Sequence, residues 1–144
     1  MSHDLILKKL EQIKSLLSEL KSLLELTFSE FKKTFTNIRS AERNFQLIIE
    51  LASDMNAHII AEMGAETPDT YRESFKRMAS LGVLEEKSLP AFIKSSNLRN
   101  ILIHEYDFDE DNFIFYKSAK SFIPLYENYM DSIKTYIVAN ESKR

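Results

Sequence analysis

Residues 6–24 read ILKKLEQIKSLLSELKSLL, and residues 38–59 read IRSAERNFQLIIELASDMNAHI. In the first stretch Ile6, Leu10, Ile13, Leu17, Leu20 and Leu24 alternate steps of four and three residues. Ile38, Ala41, Phe45, Ile48, Ala52, Met55 and Ile59 do the same in the second. That rhythm keeps apolar side chains on one seam of a helix. Two long helices with matching seams predict an antiparallel hairpin. The seams would also suit a coiled-coil dimer, but a hairpin within one chain uses them equally well and needs no partner.

Working outward, Thr27 to Thr36 holds enough phenylalanine and charge for a short helical turn between the two long helices, and nothing there reads as a domain boundary. Gly64 is placed to end the second helix in a left-handed cap, and Pro68 forbids its continuation. Thr70 followed by Glu73 has capping-box spacing, and Tyr71, Phe75 and Met78 form a short apolar stripe up to Gly82. Ser88 can cap a fourth helix with Pro90 in its first turn, running through Phe92, Ile93, Leu98, Ile101 and Leu102 to about His104. After an acidic loop, Asp107 to Asp111, a final helix carries Phe115, Phe122, Leu125, Tyr129, Ile133 and Ile137, with Pro124 as a kink. The expected fold is all-α: about five helices, two long and antiparallel plus shorter ones, in a single domain over residues 1–144.

Composition agrees. Of 144 residues 44% are hydrophobic and 11% aromatic, enough for a core and too many for disorder. Two glycines and three prolines leave few interruptions. The absence of cysteine excludes disulfides and thiolate metal sites and fits a reducing compartment, so a cytoplasmic protein is expected. Lys8, Lys9, Glu11 and Lys14 break the N-terminal pattern too often for a signal peptide or a membrane span. A formal charge of −3 argues against coating nucleic acid through an overall field, yet permits a local basic groove.

Chemistry concentrates in Arg99-Asn-Ile-Leu-Ile-His104-Glu-Tyr106. Histidine titrates near neutrality and can give or take a proton, while arginine stays charged and can stabilise a phosphate gaining negative charge. The pair suits RNA cleavage without a metal, in which the ribose 2′-hydroxyl attacks the adjacent phosphorus and the 5′-oxygen leaves with a proton. On an ideal helix, however, Arg99 and His104 are about 140° apart, so they share no face unless the helix end distorts. Asn100 and His104, four apart, do share one, and Asn100 can orient the imidazole or contact a phosphate. Spacing alone leaves a purely structural role for Arg99 and His104 open.

Other residues are weighed the same way. His58 lies beside the second seam and reads as a satisfied structural histidine. His3 is expected to be disordered, and no two histidines have metal-ligand spacing, so neither a metal nor another cofactor is expected. Arg39, Glu42 and Arg43 can line a groove near the motif or form surface ion pairs, of which the second is the plainer reading.

Arginine, four residues, histidine, one residue, tyrosine resembles the signature of the HepT-type proteins of the HEPN superfamily, here Arg99, His104 and Tyr106. The resemblance extends through Ala41-Glu-Arg-Asn-Phe-Gln46, Ala57-His-Ile-Ile-Ala-Glu62, Thr67-Pro-Asp-Thr-Tyr-Arg-Glu73 and Leu81-Gly-Val-Leu84, over roughly residues 4 to 138. It implies a HEPN-type helical bundle and a metal-independent ribonuclease toxin of a type VII-like toxin–antitoxin system, with RNA as substrate. It implies too that motif residues meet across a homodimer cleft, which would resolve the 140° separation. Arg99 and His104 would be catalytic and Asn100 supporting. Tyr106 would be AMPylated by a cognate MntA-like minimal nucleotidyltransferase antitoxin, whose bulky anionic product would neutralise the arginine and fill the space of an RNA phosphate. The acidic Asp107–Asp111 segment and Pro124 depart from the family's pattern without touching the signature. The alternative is a non-catalytic helical adaptor that binds a nucleotidyltransferase or a nucleotide.

Overall fold

The computed structural model describes residues 3–104 and 108–141, and their side chains other than those of 100–104 and 108–111. Among the described residues the order is α1 (Asp4–Glu25), α2 (Phe28–Phe31), α3 (Phe35–Glu62), α4 (Tyr71–Ser80), a 3₁₀ turn (Glu86–Ser88), α5 (Leu89–His104) and α6 (Phe108–Glu141), with no strand.

Every member of the two predicted seams is buried, none more than 5% exposed. Cross-links between the helices give their direction. Lys9 reaches Asp54 at 3.4 Å, and Asn44 donates to Glu19 at 3.0 Å. Ten residues forward along α1 is thus ten residues back along α3, the register of an antiparallel hairpin. The short turn expected between them is α2, closed by a complete capping box. Thr27 Oγ1 accepts from the Glu30 amide, and the Thr27 amide donates to the Glu30 carboxylate, both at 3.2 Å. The Thr27 amide, then its hydroxyl, hold the Glu30 carboxyl below its usual range.

Helix ends follow local chemistry. Gly64 has φ +77°, and its neighbours wrap the end of α3, with Ala65 N–H donating to the Ile60 carbonyl at 3.0 Å. Gly82 repeats the device after α4, at φ +80°. Thr70 caps α4 through the Glu73 amide at 3.1 Å, and the 3₁₀ turn carries Ser88 directly into α5 with Pro90 in its first turn.

Three sequence expectations change. The acidic segment is not a loop along its whole length: the backbone of Phe108 to Asp111 belongs to the first turn of α6. At 34 residues α6 is a third long helix beside the two expected, and Pro124 lies inside it, where the sequence placed it. The proline removes one backbone donor without ending the helix, because the flanking Phe122, Ile123 and Tyr126 are buried and hold it in place. His3, expected to be disordered, is 4% exposed. Its Nε2 lies 2.9 Å from Glu62 at the end of α3, and its ring meets Tyr136 of α6 edge-on. These contacts with a carboxylate and an aromatic ring hold the histidine in place, which spacing along the sequence could not show.

The other half of the bundle is built differently. Phe75 of α4 stacks on Phe92 of α5 with ring centroids 4.9 Å apart, and Tyr126 and Tyr129 of α6 close around them. Among these rings lie hydroxyls and amides. The single Tyr129 hydroxyl proton is shared between Asn56 Oδ1 at 2.6 Å and the Ala52 carbonyl at 2.9 Å, and Asn56 donates onward to Ser74 at 3.1 Å. Ser95 and Tyr126 share a hydrogen bond of 2.7 Å. These groups are buried and hydrogen-bonded, as burial of polar atoms requires. They tie α3, α4, α5 and α6 to one another.

Candidate functional site

Arg99 sits five residues before the end of α5, where that helix faces both α3 and α4. Its Nη2 donates to Glu50 Oε1 of α3 at 3.0 Å, and its guanidinium lies over the ring of Tyr71, the first residue of α4, at 4.9 Å from the centroid. The arginine side chain is 17% exposed and the Glu50 carboxylate 35%. A planar cation with a carboxylate on its edge and a ring on its face is fixed in orientation. Burial pushes the Tyr71 hydroxyl above its ordinary pKa, with Glu50 and Asp54 adding to the effect and Arg99 opposing it. Tyr71 is thus a neutral phenol at neutral pH.

Beside this cluster a cleft of about 690 Å³ opens between α3, the segment before α4, and α5. Tyr71 and Ser96, one turn before Arg99, form part of its wall. Asp54, Asp69, Arg72 and Asn97 also line it.

Of the residues singled out from the sequence, Arg99 is placed with its partners. Asn100 and His104 lie on the α5 backbone, which is continuous through His104, but their side chains fall outside the described residues. Tyr106 lies outside them altogether. His58 is half-buried on α3 beside a separate shallow pocket with Asp54 and Thr67. Arg39 pairs with Glu42 at 2.9 Å, but the pair is only half a surface one: the Glu42 side chain is 8% exposed against 50% for Arg39. Arg43 is exposed.

Glu50 and Tyr71 were missed as site residues. A signal for Glu50 was present: it is the single charge in the apolar run Leu47-Ile-Ile-Glu-Leu-Ala52, and a carboxylate there needs a cation from another element. Tyr71 had none, because an aromatic at the start of a short amphipathic helix reads as core.

The HepT-like model, described as ribonuclease HepT-like, matches residues 6–133. The chain is 30% identical over 136 residues to the tRNA nuclease HepT of Aphanizomenon flos-aquae, covering 94% of this chain and 91% of that one. It is 28% identical over 104 residues to the mRNA nuclease HepT of Shewanella oneidensis, covering 72% and 77%. Its fold superposes with a TM-score of 0.82 on the tri-AMPylated Shewanella oneidensis HEPN toxin solved in complex with the MNT antitoxin, at 26% identity over 94% of this chain and 99% of that one. A helical bundle with buried α1 and α3 seams, an arginine braced at the end of α5, and a match across nearly its whole length together place the chain in the HepT-like ribonuclease family.

Proposed function

We propose that the chain is the toxin of a type VII-like toxin–antitoxin pair, a metal-independent ribonuclease silenced when a cognate MntA-like nucleotidyltransferase places AMP on Tyr106. The observation that carries this reading is the Arg99, His104, Tyr106 string lying inside a family match that spans residues 6–133. The braced guanidinium supports it: a cation whose plane is already fixed loses little freedom on meeting a phosphate.

In the reaction, His104 takes the proton of the ribose 2′-hydroxyl, and the 2′-oxygen forms a bond to phosphorus. The bond from phosphorus to the 5′-oxygen breaks, and that oxygen leaves with a proton given by a His104 imidazolium, acid in this step as it is base in the first. A 2′,3′-cyclic phosphate and a 5′-hydroxyl result. Arg99 stabilises the charge gathering on the phosphate oxygens, and Asn100 supports the imidazole. The bundle works in the cytoplasm as a homodimer, in which Arg99 and His104 of two copies serve one cleft. That arrangement removes the need for them to share a helix face.

Cleavage of a mixed cellular RNA pool in chelator tests the proposal. The parent cuts, and His104→Ala and Arg99→Ala cut about 10²- to 10⁴-fold more slowly. An unmodified parent that leaves the RNA intact would refute the assignment. Coexpression with the transferase followed by peptide mass analysis finds AMP on Tyr106; AMP elsewhere, or absent, refutes the modification. One observation favours the adaptor reading: Glu50 already answers part of the Arg99 charge. An unmodified parent that binds the transferase yet leaves RNA intact would establish that reading, whereas an Arg99→Ala variant that cuts as well as the parent would remove Arg99 from the catalytic residues.

A further inference from the structure

The cleft beside Tyr71 has a composition that the reaction above does not use. One face of the Tyr71 ring carries the Arg99 guanidinium, and the same residue lines the cleft. Tyr71 therefore borders both the group that meets the phosphate and a space of about 690 Å³, room for a nucleoside. Ser96 of the wall is three residues from Arg99, on the same side of α5. A chain of RNA with a phosphate at Arg99 thus has a neighbouring nucleotide within reach of the cleft.

Charge indicates which part of that nucleotide enters. Asp54 and Asp69 line the cleft against one cation, Arg72, so a phosphate is disfavoured inside it and a neutral base is not. The polar edges are rich in acceptors. Asp54 has one carboxylate oxygen, Oδ2, directed to Lys9 at 3.4 Å, and the Ser96 hydroxyl gives its proton to the Ile93 carbonyl at 2.8 Å, keeping its lone pairs toward other donors. Asn97 adds an amide with both donor and acceptor. Single-stranded RNA is read by aromatic stacking and by hydrogen bonds to splayed base edges, and carboxylates accept from exocyclic amino groups.

We propose that this cleft is the subsite for the nucleobase flanking the scissile phosphate, and that it takes bases bearing an exocyclic amino group in preference to uracil. Tyr71 supplies the stacking surface, Asp54 and Asn97 read the edge, and Arg72 at the rim meets the phosphate on the far side of that nucleotide. The proposal rests on the ribonuclease reading for what lies at Arg99, but its test does not need catalysis.

Fully 2′-O-methylated tetranucleotides of adenine, cytosine or uracil cannot be cut and serve as probes, with binding followed by titration calorimetry. The adenine and cytosine probes bind at least about 5-fold more tightly than the uracil probe, the lower end of what one stacked and hydrogen-bonded base contributes. Asp54→Asn narrows that preference, and Tyr71→Leu weakens all three probes while Tyr71→Phe keeps the affinity. Equal binding of the three probes, or a preference unchanged in Asp54→Asn, overturns the proposal. AMP alone binding as tightly as the adenine tetranucleotide also overturns it, because the site would then take a free nucleotide and not RNA. A parent that binds with this preference and yet never cuts unmodified RNA overturns the ribonuclease reading and leaves the subsite standing.

Discussion

The two halves of the bundle are held by different forces. Between α1 and α3 the contact is a seam of leucine, isoleucine, alanine, phenylalanine and methionine, with polar links only at its margins. Between α3, α4, α5 and α6 the contact contains Asn56, Ser74, Ser95, Tyr126 and Tyr129, each hydrogen-bonded inside the core. Apolar burial has no preferred direction and tolerates a change of shape; a buried hydrogen bond fixes one geometry and is costly to break. Both halves supply stability, and the second half also supplies the position of Tyr71 and Arg99.

The largest effect that would break this comparison is in the aromatic stack. Phe75→Ala removes a fully buried ring from between Phe92 and Tyr129 and costs about 3–5 kcal/mol in denaturant unfolding. In the hairpin, Leu20→Ala costs about 2–5 kcal/mol, while Leu20→Met costs less than about 1.5 kcal/mol because the volume is kept. A Leu20→Met variant as unstable as Leu20→Ala would show that the seam is geometrically specific after all. Tyr129→Phe, which keeps the ring and removes only the hydroxyl, costs about 1–3 kcal/mol because Asn56 Oδ1 loses its donor. A neutral outcome would mean that the polar network contributes no rigidity. Thr34→Ala, which removes the side chain accepting from the Asn37 amide at the start of α3, costs about 1 kcal/mol.

Alkaline titration separates the halves by another route. Burial raises the Tyr136 phenol to about 12, and Glu62 adds to the shift, while burial raises Tyr126 and Tyr129 still further. Each is raised above its ordinary value of 10.0, so above that pH the unfolded chain releases protons that the folded chain keeps. This part of the stability is whole below about pH 10, falls as pH rises beyond it, and for Tyr136 is lost by about 12. Melting temperature followed from pH 8 to 12 falls above 10, and less steeply in Tyr136→Phe. A fall that begins below pH 9 would contradict the assignment.

The same contrast governs what could be read from residues alone. The hairpin was legible because its information is periodic: each seam residue predicts the next by three or four, and all thirteen positions are buried. The end caps at Gly64 and Thr70 were legible because one residue type suits each geometry. Asn56, Ser74 and Ser95 were not, since a polar residue on a helix reads as solvated until its partner on another helix is known. His3 failed for that reason too. At the candidate site, Arg99 was legible through the resemblance of its string to a family signature, whereas its bracing by Glu50 and Tyr71 depends on contacts 49 residues apart and between three helices. The side chains of Asn100 and His104, and all of Tyr106, lie outside the described residues, and their roles stand on the signature.

The placement of α6 has a consequence for the order of assembly. Its hydroxyls reach back to Leu26 across 90 residues and to Ala52 across 77, so its contacts close the longest loops among these hydrogen bonds. Local pairings such as α4 with α5 can form while α6 is still a free segment, but contacts of high sequence separation carry the largest loop-closure entropy and come late. Until α6 docks, Ser95 lacks the Tyr126 hydroxyl and Asn56 lacks that of Tyr129. The helices that carry Tyr71 and Arg99 are therefore locked in place only when the last helix has been added.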